Sequence, residues 1–244
     1  MATHDPQLIK PGERLLVVSA EHLMGTDVLG RDVFSRVMVG ARVSLTVGIG
    51  VAVASVVLGL MIGVVAGYFR MADAIIMRVM DGLMAIPGIL LAIALVALLG
   101  GGLLTVMVAI VVPETPRVVR LVRGMILSVR NEPYVEAAVA LGTPSLTLLV
   151  RHLVPNTFAP LTVQGSFILA SAMLTEAAMS FLGVGLPPEI PSWGSIMAEG
   201  RSYFQLKPGL IYFAGTFLAL TVLSVNILGD AVRDALDPKL AQRL

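Results

Sequence analysis

Residues 136–155 read EAAVALGTPSLTLLVRHLVP, a polar-edged island between strongly hydrophobic segments. Asn131 is placed to cap a helix, and Pro133 suits a first helical turn. Ala137, Ala138, Val139, Ala140 and Leu141 continue that helix until Gly142 breaks it. Thr143-Pro144 restarts it with the same capping logic, and Pro155 is predicted to close the second piece. The stretch therefore reads as a helix, a sharp glycine corner and a second helix, with Glu136 and Arg151 as its charges. Alanine and glycine at such an elbow permit close approach, which suits a surface that enters a groove on another protein.

The chain on either side of the elbow is lipid-like. Of its 244 residues 57% are hydrophobic and 14% charged, with a mean hydropathy of +0.90. Soluble chains carry about 25% charged residues, so an ordinary soluble domain is excluded. A net charge of +1 with no Lys/Arg-rich run leaves no footprint for a nucleic-acid partner. The absence of cysteine excludes disulfides and cysteine metal sites. The opening MATHDPQLIKPGERLLVVSA is too polar and too proline-broken for a signal peptide.

A spanning helix needs roughly 20 apolar residues. Residues 43–69 contain no charge and carry Gly48, Gly50, Gly59, Gly63 and Gly67 as small faces for helix packing. The next uncharged run is too long for one pass, and Gly100-Gly101-Gly102 is its turning point. That gives a second span over about 83–100 and a third over about 103–127, the latter interrupted by Pro113, Glu114 and Pro116. Residues 157–182, with Glu176 their single charge, make a fourth span, and residues 208–229 an uncharged fifth. The predicted fold is all-α, a polytopic transmembrane bundle of about five spans. It divides into an N-terminal segment 1–42, a membrane domain 43–232 containing the elbow at 132–155, and a tail 233–244.

The elbow's spacing is specific. Glu136-Ala137-Ala138, three residues, Gly142, then Pro155 thirteen positions on resembles the EAA loop of ATP-binding-cassette (ABC) importer permeases. The Ile-x-Leu usual before that proline reads His152-Leu153-Val154 here. Four further stretches resemble the oligopeptide/dipeptide/nickel branch of the family. GTDVLGRDVFSR at 25–36, followed by VGARVSL, matches a signature ahead of a spanning helix. RLVRG at 120–124 follows Pro116, though Thr115 stands where the family often has tryptophan and Pro113 is extra. LTEAAMSFLGVGLPPEIPSWG at 174–194 and NILGDAVRDALDPKL at 226–240 complete the set.

The resemblance implies a type I importer permease. In that family the EAA loop is the cytoplasmic coupling helix seated in a cleft of the ATPase subunit. Glu136, Ala137, Ala138, Leu141, Gly142 and Pro155 are then the coupling residues. The implied partners are a homologous second permease, two ABC ATPase subunits, an extracytoplasmic solute-binding protein and the surrounding membrane lipid. Peptides or a related solute (a nickel chelate, glutathione) are the implied cargo, moved by alternating access. The chain would be a transport subunit of the inner membrane and not an enzyme, with no cofactor of its own and ATP bound by its partners.

Placing the elbow in the cytosol puts ten basic residues on that side and seven on the other, five of the seven before the first span. Five spans leave the C-terminus inside and a basic N-terminal segment outside. Peptide-branch permeases usually have another helix before this point, and the expectation is that this chain lacks it, naturally or through a misassigned start.

Local chemistry accounts for several charged groups. Asp32 can cap a helix bearing Phe34 and Val37, with Arg31, Arg36 and Arg42 at the interface; contact with the binding protein is the alternative for this segment. Residues 68–87 read as an amphipathic bracing helix along the inner face, with Arg78 and Asp81 spaced to pair. Arg117, Arg120 and Arg123 share a helical stripe as an inner anchor. Glu176, twenty residues into the fourth span, falls near its outer end as a bundle contact, an outer gate or a group on the path. Asp230 can cap, and Arg233 can pair with Asp230 and Asp237.

The absences narrow the function. There is no GxxxxGK[ST], so the chain does not cradle ATP. His4, His22 and His152 have no metal-ligand spacing, and no serine lies near a membrane-embedded histidine, so neither a metal site nor an intramembrane hydrolase is expected. The alternative is an ion-gradient-driven secondary transporter, which needs buried acids and repeated halves. Glu114 and Glu176 are the acids available to it, and no repeat is visible.

Overall fold

Asp32 starts the first long helix. Its Oδ2 accepts the backbone N–H of Ser35 at 2.8 Å, one of the donors a helix leaves unsatisfied at its first turn. In the computed structural model, which describes residues 3–236, that helix (α1) runs over Val33–Tyr68. It begins ten residues before the expected start of the first span and takes Arg36 and Arg42 inside it. The chain then forms α2 (Arg70–Met84), α3 (Gly88–Leu99) and α4 (Leu103–Val129). The elbow helices α5 (Pro133–Ala140) and α6 (Ser145–Leu148) follow. A π turn (Leu149–Leu153) and a 3-10 turn (Val154–Thr157) lead into α7 (Phe158–Phe181), α8 (Trp193–Arg201) and α9 (Gly209–Leu236). Strands are absent among the described residues; Thr26 and Asp32 form one isolated bridge.

Three helical stretches are long and apolar enough to cross a membrane: Val33–Tyr68, Ser145–Phe181 and Gly209–Ala235. The pair α2 and α3, bent by 88° at their break, adds a fourth if taken as one broken span. The expected third span is α4. Glu114, Arg117, Arg120 and Arg123 make it more polar than the others, so length and composition alone mark three or four spans among the described residues. Pro113 and Pro116 do not break it, and it continues through both for 27 residues. Asp230 does not cap either, because α9 passes through it. Asp237, Lys239 and Arg243 lie outside the described residues.

The chain divides into two compact units, and the division falls inside α1, α4, α7 and α9 and after the first residue of α3. The first unit comprises Met1–Val51, Ile89–Ile110 and Leu169–Val225. Its core packs Val33 and Val37 of α1 with Met173 and Ala177 of α7, Trp193 and Ile196 of α8, and Leu210, Ala214 and Leu218 of α9. Gly48 lets α1 approach α7, since a Cβ there would come within 2.8 Å of Met173. Trp193 donates its indole N–H to the Val37 carbonyl at 3.0 Å, so its polar edge is satisfied inside the core.

The charges at the start of α1 are neutralised in the same unit. Arg31 and Arg36 both bond Asp27 Oδ2, at 2.6 and 2.7 Å. Both also reach Glu199 of α8, at 2.7 and 2.8 Å. Two cations and two carboxylates in contact are the arrangement in which buried charge is tolerated. This is why α1 can begin among arginines.

The second unit comprises Ala52–Gly88, Val111–Ile168 and Asn226–Leu244. Here α1 and α4 meet along Gly59, Gly63 and Gly67, whose missing Cβ atoms would stand 2.4, 2.7 and 2.6 Å from the Cβ atoms of Val118, Val122 and Ile126. Spacing of four on both helices keeps this seam in line. Beside it α2 is tied to α4 by Asp73 with Arg123 and Asp81 with Arg120, the latter at 2.6 Å. Asp81 therefore takes a partner on α4, not the Arg78 expected from spacing. The arginine stripe of α4 is real, and α2 is docked on it.

Candidate functional site

The elbow lies wholly in the second unit. Pro133 occupies the first turn of α5, as its fixed φ and missing N–H favour. The residue before it at the cap is Glu132, not Asn131; Asn131 closes α4 with its side-chain amide on the Leu127 carbonyl at 3.3 Å. Helix α5 ends in a Schellman pattern: Gly142 N–H bonds the Val139 carbonyl at 2.9 Å and Thr143 N–H the Ala138 carbonyl at 3.1 Å. Gly142 sits at φ +78°, where a Cβ would meet no atom within 4 Å. The corner needs glycine for its backbone conformation, not for space.

Beyond the corner Pro144, not Thr143, is the cap residue of α6, and no side chain caps it. Pro155 does not end the path. It stands at the start of the 3-10 turn that carries the chain into α7, where a proline's missing N–H is tolerated. Asn156 secures this connection, donating its amide to Tyr134 OH at 3.2 Å and to the His152 carbonyl at 2.6 Å. The elbow is thereby pinned at both ends of its fold.

Three side chains anchor it inward, Val135, Leu148 and Leu153, each at most 4% exposed. The rest faces outward. Leu141 is 86% exposed, Leu146 73%, Val150 62% and Val139 56%. Glu136, Ala137, Gly142 and Pro155 are exposed and Ala138 half-buried. Of the predicted coupling residues all but Ala138 are therefore exposed, among bare apolar side chains and two exposed acids, Glu132 and Glu136.

Glu176 belongs to the first unit and is fully buried. Its Oε1 accepts the hydroxyls of Ser180 and Ser192, both at 2.8 Å. Ser192 caps α8 in a reciprocal capping box with Ser195. Gly194 allows this end of α8 to close on α7, where a Cβ would lie 2.6 Å from Ala177 Cα. The acid is a bolt between α7 and the start of α8. The Ser192-x-x-Ser195 box is legible in the sequence, whereas its attachment to Glu176 is not.

Asp32 and His22 form a second buried polar group in the first unit. Burial alone would push the Asp32 carboxyl up; hydrogen bonds from His22, the Ser35 backbone and the Ser35 hydroxyl outweigh it and hold Asp32 below its ordinary value. Asp32 is therefore a carboxylate, and His22 Nδ1 donates to its Oδ1 at 2.9 Å. Eighteen residues separate His4 from His22 in the chain, yet their rings lie 5.1 Å apart. Sequence spacing concealed this pairing.

Residues 55–242 match the family model described as binding-protein-dependent transport system inner membrane component. The chain belongs to that family. It is an ABC importer permease, a multi-pass membrane protein that does not itself hydrolyse ATP, and this replaces the ion-gradient alternative. The permease is 54% identical over 239 residues to a probable peptide ABC transporter permease protein of Sinorhizobium fredii, covering 98% of this chain and 82% of the relative. It is 43% identical over 223 residues to a glutathione transport system permease of Pectobacterium atrosepticum, covering 91% and 74%. Among solved structures, the permease superposes on a chain of the methionine ABC transporter MetNI at a TM-score of 0.67 and 18% identity, covering 83% of this chain and 96% of that one. That likeness gives the type I permease fold.

Proposed function

We propose that this permease lines a translocation path together with a homologous second permease, carries peptides or a closely related solute such as glutathione, and takes its driving motion from two ATPase subunits through the elbow at 132–155. An extracytoplasmic binding protein delivers the solute. The elbow faces the cytosol, where the basic residues of α4 and Arg151 accompany it.

The observation that carries the reading is the bare apolar surface of the elbow. Leu141, Leu146, Val150 and Val139 are exposed beside a glycine corner held by its own backbone hydrogen bonds. Apolar groups presented on a rigid corner favour insertion into a partner's groove, because little ordering remains to oppose association. Glu136 on the same surface supplies a charge for orientation. In the same reading Glu176 holds the α7–α8 connection beside the path and does not carry solute.

The test is co-purification of the ATPase subunits with Gly142→Asp and Glu136→Lys variants. Both are expected to insert normally and to lose ATPase docking; normal recovery of the ATPase with both would remove the elbow from coupling.

A further inference from the structure

The N-terminal segment holds buried polar groups to which the proposed function gives no role. His22 and Asp32 are each 3% exposed. His22 Nδ1 lies 2.9 Å from Asp32 Oδ1, and His4 Nδ1 lies 4.0 Å from Asp32 Oδ2. One candidate ligand atom from each of the three residues falls within 4.8 Å of the other two. We propose that His4, His22 and Asp32 bind one divalent transition-metal ion, zinc foremost, which clips the N-terminal segment to the first turn of α1.

The other face of His22 supplies the independent argument. His22 Nδ1 faces Asp32, and the buried Nε2 has no hydrogen-bond partner. It stands 3.4 Å from Glu13 Oε2, so a carboxylate lies behind the ring on the side away from Asp32. A metal on Nδ1 transfers the ring proton to Nε2, where Glu13 can receive it. That is the carboxylate–histidine–metal arrangement found behind metal-ligating imidazoles. Two imidazole nitrogens and one carboxylate oxygen form a zinc donor set with an open fourth position. Ligands on a tetrahedral zinc stand about 3.3 Å apart. The three candidate atoms, within 4.8 Å of one another, would have to draw together by up to about 1.5 Å to reach that spacing.

The experiment uses the full chain, purified without a polyhistidine tag, stripped with chelator and reconstituted in lipid nanodiscs at mildly alkaline pH. Zinc chloride is titrated calorimetrically. The expected result is one zinc per chain, with X-ray absorption showing two imidazole ligands. His4→Ala should lower affinity at least about tenfold and leave the metal-free melting temperature unchanged, while His4→Cys, still able to ligate zinc, retains binding. Glu13→Gln should weaken binding by about 10–100-fold, the range for groups that orient a ligating histidine. Absence of zinc binding in the unaltered chain overturns the proposal, as does equal affinity in His4→Ala. Equally decisive would be a metal-free chain in which His22 holds a second proton between Asp32 and Glu13 and zinc does not displace it.

Discussion

Arg123 holds the Asp73 carboxylate in two parallel hydrogen bonds, Nε to Oδ1 at 2.5 Å and Nη2 to Oδ2 at 2.7 Å. This fork joins α2 to the arginine stripe of α4, and it is the best-formed of the contacts that fix α2 within the elbow's own unit. Bidentate pairs of this kind exceed ordinary surface ion pairs in both geometry and strength.

The fork gives a quantitative prediction. A double-mutant cycle with Asp73→Asn and Arg123→Met should return a coupling of about 0.5–1.5 kcal/mol in the unfolding of the purified chain. The same cycle on Asp81 and Arg120, a more exposed single contact, should give less than about 0.5 kcal/mol. Equal couplings would show that α2 is not fixed by the fork.

Two glycines should fail for opposite reasons. At Gly63 the backbone is helical, but a Cβ would stand 2.7 Å from Val122 Cβ. Gly63→Ala should cost about 1–3 kcal/mol by overpacking, and Val122→Ala should recover most of it. At Gly142 there is space, but φ is +78°. Gly142→Ala should cost about 1–2 kcal/mol, and Gly142→Asn less, because asparagine tolerates the left-handed region. Thermal unfolding of these variants and of Gly63→Asn reads both patterns. A Gly63→Asn variant as mild as Gly142→Asn would contradict the assignment.

Glu176 offers a third case. Gln in its place keeps an oxygen for Ser180 and Ser192, so Glu176→Gln should leave the melting temperature close to the original. Glu176→Ala strands two buried hydroxyls and opens a cavity, at a cost of about 2–4 kcal/mol. Transport by Glu176→Gln should persist; its abolition with the fold intact would place Glu176 on the path instead of at the α7–α8 joint.

These contacts show which parts of the molecule were legible in the chain. Gly100–Gly102 turns the chain between α3 and α4, and Gly142 turns the elbow, because a positive φ is written locally in the residue type. The fourth and fifth spans are equally plain, since long runs with at most one charge permit little else. What the sequence concealed depends on partners far away. Arg36 lies inside α1 because Glu199, 163 residues later, neutralises it. Asp81 chooses Arg120, 39 residues distant, over the neighbouring Arg78. Pro113 and Pro116 leave α4 unbroken, although local rules end a helix there. Of the site, residue identities and the corner were readable; the anchors Val135, Leu148 and Leu153 and the Asn156–Tyr134 tie required the fold.

We propose that the elbow, rather than another bare apolar group of the permease, meets the ATPase. The chain has no cysteine, so Leu141→Cys creates a unique thiol on the elbow. Short-span crosslinking of this thiol to cysteines lining the ATPase cleft, in membranes carrying the whole transporter, tests the claim directly. Leu104→Cys at the start of α4, 75% exposed, serves as the comparison. A crosslinked permease–ATPase product from position 141 and none from 104 is the predicted result. A product from 104 with none from 141, or labelling of the thiol at position 141 by a membrane-impermeant reagent from outside the cell, would contradict it.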